Sequence, residues 1–395
     1  MTALADPGLL ADLARFGAVD VSACFSCGTC TATCPLVDDG ASFPRRMIRY
    51  AEIGLTDDLL GSKELWTCYQ CGLCSESCPT GADPGQFMAT ARRYAVARHD
   101  RTGLARILAT RPLAGTVVAV ALAAFFAVFL YAGHGPQDTG QLALFTFVPA
   151  GVVHWTGIAV MVALALAGGA GAVTMARRTA RRDGVTAASL VRTPAARRAT
   201  LAALWSAVGV ESLGQRRFRQ DCHDDAPTEP LYRRRWLVHA LTIWGFLGLL
   251  TATGLDWGLD LTGVKPTGTP VSLWYPTRLL GTLAGLCLVY GVTMFAVARA
   301  RHEGRAAAVS TPGDWLLLAL LWLTGVTGFV IEVALYLPSA PAWGYWVFLL
   351  HVAVAMELML LLPFTKFAHA IYRPVALFFH ALARARSAAE AAGGS

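Results

Sequence analysis

The sequence predicts an all-α protein, a dicluster-type helical head joined to a six-helix transmembrane bundle, and three observations carry that prediction. Of 395 residues, 55% are hydrophobic and only 15% are charged, whereas ordinary soluble domains carry about 25% charged residues. The deficit lies beyond residue 110, where apolar runs long enough to cross a hydrocarbon core of about 30 Å recur. Eight of the ten cysteines fall before residue 79, in two copies of one motif.

Residues 1–100 form the head. Pro44 is placed to open a helix from Arg45 to Ile53 with Gly54 as its stop, and Ser62 to cap a further short turn. No stretch alternates apolar and polar residues for long enough to make a sheet. The opening MTALADPGLL has neither a basic nor an apolar leader segment, so the N-terminus is expected in the cytoplasm. Cysteines in that reducing compartment read as metal ligands or redox centres, not disulfides.

A linker over 101–112 leads to a membrane domain over 113–372, with spans at 113–132, 152–176, 236–255, 277–298, 315–337 and 343–365, and a tail over 373–395. The loop 177–235 is rich in arginine, and Arg299, Arg301, Arg305 and Lys366 mark the same side, while 133–151 and 338–342 hold no Lys or Arg. By the positive-inside rule both termini, the head and the basic loops are cytoplasmic, in the inner membrane. Trp155, Trp257, Trp274, Trp343 and Trp346 gather at the outer ends as an interfacial belt. The net charge of +7 hides a head with 8 basic and 12 acidic residues. The basic excess belongs to membrane loops, and nucleic acid is not an expected partner.

The cysteines carry the strongest chemical signal. Cys24, Cys27, Cys30 and Cys34, then Cys68, Cys71, Cys74 and Cys78, both follow C-x2-C-x2-C-x3-C-P. Two such runs predict two [4Fe-4S] clusters, with the fourth cysteine of each run serving the other cluster. Cys24, Cys27, Cys30 and Cys78 are assigned to one cluster, and Cys68, Cys71, Cys74 and Cys34 to the other. Zinc also takes four thiolates, but its sites usually show paired C-x2-C elements. Cys222 and Cys287 read as unligated thiols.

Histidines at the membrane need a reason. His351 and His369 are read as sharing the last helix, five full turns and about 27 Å apart on one face, so that each provides an axial ligand to a b-type heme near one side of the bilayer. His239, at the cytoplasmic start of span three, pairs with His369. His154, at the outer start of span two, pairs with His351, although their depths differ by about 9 Å at the helical rise. Two hemes are expected, or one if that second pair fails. His99, His223, His302 and His380 read as solvated. Glu332 and Glu357 lie inside spans, where a lone carboxylate is held neutral by desolvation, and both are candidate proton carriers at a quinone site. Lys366 is expected to snorkel to the interface.

The segments FSCGTCTATCP, FPRRMIRYAEIGL and WTCYQCGLCSESCP make the head similar to the iron-sulfur C subunit of heterodisulfide reductase. RRRWLVHALTIWGF, TGFVIE and LPFTKFAH make the membrane part similar to the heme b subunits related to the nitrate reductase gamma chain and to the E subunit of heterodisulfide reductase. A chain joining both resembles the C subunits of quinone-interacting membrane-bound oxidoreductases. The resemblance implies a respiratory electron-transfer role between menaquinone and soluble partners linked to sulfur metabolism, a heterodisulfide reductase A-like flavoprotein and iron-sulfur subunits. It implies the eight cysteines as cluster ligands and His239, His351 and His369 as heme positions. The gamma chain carries a second ligand about ten residues after the first, where Leu249 stands here, and the CCG boxes of disulfide-cleaving subunits are missing. Two other readings remain: the membrane arm of a heterodisulfide reductase using another lipid carrier, and a heme-free redox-gated transporter or sensor.

Overall fold

The computed structural model describes residues 5–17, 21–37, 43–221, 229–265, 271–303, 307, 309–337 and 340–393. Cys222 and His223 lie outside the described residues. The described residues form helices and no strand. In the head, two four-residue helices, α1 (Thr29–Ala32) and α2 (Leu73–Glu76), follow the cysteine loops. Arg45–Glu52 is helical as expected, with Gly54 at φ 74° closing it. Ser62 does not cap a following turn; it ends the helix Thr56–Gly61, and its hydroxyl donates to the Asp58 carbonyl at 2.6 Å.

The backbone of the head is α3 (Pro84–His99), opened by Pro84 at its first position and by Asp83, whose carboxylate accepts from the Gln86 amide at 3.1 Å. Phe87, Met88, Ala91, Tyr94 and Ala95 are buried along it. They share one apolar core with Leu9, Phe43, Met47 and Trp66 of the head and with Met175, Leu361 and Tyr372 of the membrane domain. A chain of about 100 residues with eight cysteines in loops has little apolar core of its own, so this continuity fixes the head on the bundle.

Among the described residues six helices are long and apolar enough to cross a membrane: α4 (Pro112–Ala132), α5 (Ala150–Arg182), α6 (Arg235–Leu261), α7 (Pro276–Ala300), α8 (Pro312–Tyr336) and α9 (Ala342–Leu361), the last prolonged by a 3₁₀ turn to Phe364. The chain is a multi-pass membrane protein. Helix α9 is its centre, 61% buried over its apolar window against 17–33% for the others, and it packs on α4, α5 and α8. Helices α6 and α7 form the tightest pair. A Cβ on Gly245 would stand 2.5 Å from the Leu288 amide nitrogen, and one on Gly291 would meet Thr242 and stand 2.9 Å from the Val238 carbonyl. Small residues of this kind let helix backbones approach where lipid offers no hydrophobic driving force. At the end remote from the head, Trp155, Trp257, Trp274, Trp343 and Trp346 are exposed.

One expectation fails at the end of α9. His351 and His369 do not share a helix: α9 stops at Leu361, Pro363 lies in a 3₁₀ turn, Thr365 is extended, and α10 (His369–Gly393) begins anew after a second 3₁₀ turn. Proline lacks the amide hydrogen a helix interior needs and clashes with the preceding turn. Thr365 then accepts from the Phe367 amide at 3.4 Å and restarts the chain in a new direction. Helix α10 crosses α5 at Gly168 and Gly171, which make room for Ile371 and Tyr372.

Helix α5 continues six residues beyond its predicted end because its last turns grip the head. Arg182 donates to the Asp58 carbonyl at 3.0 Å, the Tyr50 hydroxyl at 2.8 Å and the Ser62 hydroxyl. Lys63 pairs with Asp183 at 2.5 Å. His99, expected to be solvated, is instead 2% exposed under this joint, where Arg178 donates to its Nδ1 at 3.4 Å. Burial, and then Arg178 and Arg98, push its pKa down to about 3.

The joint can be tested at two of its members. Arg182→Ala is expected to weaken docking by about 1.5–3 kcal/mol, the range for hydrogen bonds to a charged group, read as faster hydrogen exchange in 50–64 with the transmembrane helices unchanged. His99 is neutral when folded and has an ordinary value of 6.5 when exposed. The unfolded form therefore binds the extra proton, and docking present above pH 6.5 is lost as pH falls from there toward 3. His99→Gln is expected to flatten that dependence in limited proteolysis across pH 7 to 5; an unchanged profile contradicts the assignment.

Candidate functional site

The duplicated motif is a duplicated backbone. Ser26 and Gln70, one residue before the second cysteine of each run, both have φ 55°, and Gly28 and Gly72, one residue after it, have φ 91° and 88°. Left-handed glycine at these positions turns each loop sharply enough to aim three thiols inward. The thiols group across the two halves. Cys30 interacts electrostatically with Cys24, Cys27 and Cys78, while Cys74 does so most strongly with Cys68, Cys71 and Cys34. One pocket is lined by Cys34 together with Cys68, Cys71 and Cys74. Beside it a Cβ on Gly85 would stand 2.7 Å from the Ser75 hydroxyl, so a larger residue there would displace that hydroxyl.

The thiols are held in unequal surroundings. Burial, with neighbouring thiols adding, raises Cys74 and Cys30 above the ordinary thiol value and pushes Cys34 up to about 12. The Thr29 hydroxyl, 3.4 Å away, lowers Cys27. Four converging thiols that cannot all ionise beside one another call for a cationic centre to neutralise them. Among the described residues no three His, Cys, Asp or Glu converge as they would on a single ion; thiolates on the corners of a four-iron cube stand farther apart than ligands of one metal. The donor set therefore fits [4Fe-4S] clusters.

The second constellation lies where α6 and α10 begin. The rings of His239 and His369 are 6.3 Å apart between centroids. The Nδ1 of His239 is 2.8 Å from Gln215 Oε1, and that of His369 is 2.8 Å from the Lys366 carbonyl. Both acceptors require N–H at Nδ1, which leaves each Nε2 as a free basic nitrogen, the tautomer a metal ligand uses. With a metal–imidazole bond of about 2 Å and about 1 Å more to each ring centre, a shared metal puts centroids about 6 Å apart. Gln215 follows a π-helical segment, Ser206–Leu213, and has φ 51°; its Nε2 has no hydrogen-bond partner among the described residues. Such segments and strained residues concentrate at functional sites.

The other predicted residues are placed differently. The Thr327 hydroxyl donates to the Leu323 carbonyl at 2.6 Å and so accepts from His351 Nδ1 at 2.9 Å, again freeing Nε2. His154 makes its ring contact with Trp257 at 5.9 Å, not with His351. Gly157 lies against the Met356 methyl, where α5 meets α9. Glu332 is not a lone acid: Arg278 donates to it at 3.2 Å and Thr282 at 2.9 Å. Arg278 escaped notice because it opens span four, inside the apolar run. Glu357 is 2% exposed and its Oε1 has no hydrogen-bond partner among the described residues. Lys366 does not simply snorkel; it pairs with Asp314 at 2.7 Å. Gln215 and Arg278 carry no motif that would have singled them out.

A helical membrane domain carrying a head with two four-cysteine sites defines a membrane electron-transfer subunit of the iron-sulfur oxidoreductase class, and comparison with known proteins agrees. Residues 20–82 match the 4Fe-4S dicluster domain family, and residues 116–390 match the model of citrate utilization protein B. The chain belongs to the citrate utilization protein B family. It is 31% identical to citrate utilization protein B of Escherichia coli over 41% of either chain. It is 24% identical to the E subunit of the dihydromethanophenazine:CoB–CoM heterodisulfide reductase of Methanosarcina mazei, over 36% of this chain and 58% of that one. The head is 40% identical to the iron-sulfur C subunit of the CoB–CoM heterodisulfide reductase of Methanopyrus kandleri, over 12% of this chain and 25% of that one. The chain thus spans about two fifths to three fifths of the first of these relatives. No solved structure matches it. The expected fusion of a part like the C subunit with a part like the E subunit is found; the likeness to citrate utilization protein B was not foreseen.

The exchange of fourth cysteines is open to test. Cys34→Ser is expected to impair the cluster of the second motif and spare that of the first, read as loss of one electron paramagnetic resonance signal whose partner is lost instead in Cys78→Ser. Loss of the same signal in both variants contradicts the exchange.

Proposed function

We propose that the chain relays electrons between a membrane quinone, menaquinone in the first instance, and a soluble flavin and iron-sulfur partner of the heterodisulfide reductase A type. In this reading the head faces the cytoplasm from the inner membrane, with Cys24, Cys27, Cys30 and Cys78 holding one cluster and Cys34, Cys68, Cys71 and Cys74 the other. The observation that carries it is the meeting of His239 and His369 beneath the head, each with Nδ1 engaged and Nε2 free. These residues suit a b-type heme, and His351, with Nε2 likewise free, suits a second one toward the far side, with His154 as the candidate partner.

The bound cofactors supply the one-electron chemistry, and the chain supplies orientation and tuning. Gln215 and the Lys366 carbonyl hold the two imidazoles in one tautomer. Glu357, buried with Oε1 unpartnered, is the better candidate to hold a proton at the carboxyl oxygen during quinol chemistry. Glu332, bonded to Arg278 and Thr282, is suited to a charged structural role. A second reading, the membrane arm of a heterodisulfide reductase working with another lipid carrier, is favoured by the likeness to the E and C chains of that enzyme.

The test is a reduced-minus-oxidised visible spectrum of the purified full chain, with heme counted per polypeptide. His369→Ala is expected to lose the heme bound at His239 and to stop reduction of the clusters by a menaquinol analogue, while dithionite still reduces them. A wild-type preparation with full clusters and no heme overturns the heme relay; heme reduced by other carriers but not by menaquinol selects the second reading.

A further inference from the structure

The two cysteine sites share a backbone but not an environment. Phe25 and Tyr69 occupy the same place in the two motifs, one residue after the first cysteine. Phe25 is 80% exposed and Cys27 beside it is exposed. Tyr69 is half-buried: its ring lies 5.5 Å from that of Phe218 and under the guanidinium of Arg373 at 4.7 Å. Phe218 in turn stands 5.2 Å from His239. An unbroken run of ring contacts thus joins the residue after Cys68 to the histidine pair.

Arg373 follows His369 by one turn of α10 and reaches into the head. It donates to the carbonyls of Trp66 at 3.0 Å, Thr67 at 3.3 Å and Cys68 at 3.2 Å. Arg92, from α3, donates to the Leu65 carbonyl at 2.7 Å and to the same Cys68 carbonyl at 2.5 Å. Two guanidiniums drawn to one carbonyl repel each other, and a half-buried pair of like charges is retained where an anionic group faces both. A cluster held by four thiolates is such a group, and it becomes more negative by one charge on reduction. At the other site Arg45, likewise half-buried, donates to the Ser26 carbonyl at 3.3 Å, but that loop carries the exposed Phe25 and Cys27, so solvent and salt reach the site and screen its charge.

We infer that Arg373 and Arg92 are positioning residues that make the two clusters unequal: the Cys34, Cys68, Cys71 and Cys74 cluster is bound to the membrane side and has the higher reduction potential, and the Cys24, Cys27, Cys30 and Cys78 cluster faces solvent at the lower one. Cluster potential follows local charge, hydrogen bonding and exposure, and two half-buried cations within reach of Cys68 favour the form carrying one more electron. The inference rests on the cluster-bearing reading proposed above.

The experiment is a redox titration of the cluster-loaded full chain, followed by electron paramagnetic resonance, with mediators supplying one electron to each cluster. Two one-electron transitions of unequal midpoint are expected. Arg373→Gln is expected to shift only the higher one downward, by roughly tenfold in the reduction equilibrium or about 59 mV for one electron, with heme content unchanged. Arg373→Lys restores most of the shift, Arg92→Gln lowers the same transition if the first variant does not assemble, and Arg45→Gln moves only the lower one. Two transitions that shift together, or that ignore both Arg373 and Arg92, overturn the inference while the relay stands. Absence of any cluster signal in wild-type protein after loading removes the relay itself.

Discussion

The break in the chain at Pro363 is the constraint on which the rest of this structure hangs. Because α9 ends before Pro363 and the chain restarts at His369, helix α10 leaves the axis of the bundle and lies across α5 at its two glycines. That single change of direction delivers three side chains to three places. His369 meets His239, Tyr372 packs against Trp66 with ring centroids 4.9 Å apart, and Arg373 reaches the Cys68 carbonyl. Had the last helix run straight, as the spacing of His351 and His369 suggested, these three contacts, one within the membrane domain and two to the head, would not form together.

The joint is electrostatic where the core is apolar. Guanidiniums from α3, α5 and α10 converge on backbone carbonyls of the head, each carbonyl providing an acceptor that needs no side-chain partner. Arginine suits this place because its planar fork satisfies several acceptors while its stem fills apolar space. Two of these arginines, Arg92 and Arg373, meet at the Cys68 carbonyl, in a site where burial raises Cys74 and pushes Cys34 up to about 12. Arginines are therefore gathered at one site, while its twin, though it holds the buried Cys30, carries the exposed Cys27 and Phe25.

How much of this was legible in the sequence depended on whether a feature was local. Membrane spans are read from runs of one residue class, and five of six begin within two residues, or three for α8, of their expected starts; α5 and α6 overran only at their ends. The cysteine loops were legible because their chemistry demands a fixed spacing. His239 and His369 were paired on depth alone and do meet. What escaped were partners set by tertiary structure: Gln215 after a π-helical turn, Arg92 and Arg373 meeting at one carbonyl, Arg278 answering Glu332, and the burial of His99. Each depends on a distant segment arriving at the right angle, which no periodicity encodes. Helical phasing failed for His351 and His369 because the count of turns took no account of Pro363 between them.

The close seat of Gly291 against α6 has a meaning beyond packing. A side chain there would press on Val238 and Thr242, the residues on either side of the turn that holds His239. The place of one imidazole is thus decided by the absence of an atom on another helix. Position 291 carries no donor, charge or ring, and an inventory of reactive groups passes over it, yet its tolerance to replacement is governed by the same geometry as the histidine itself. In families that share this hairpin, divergence at the silent position and at the reactive one should be read together.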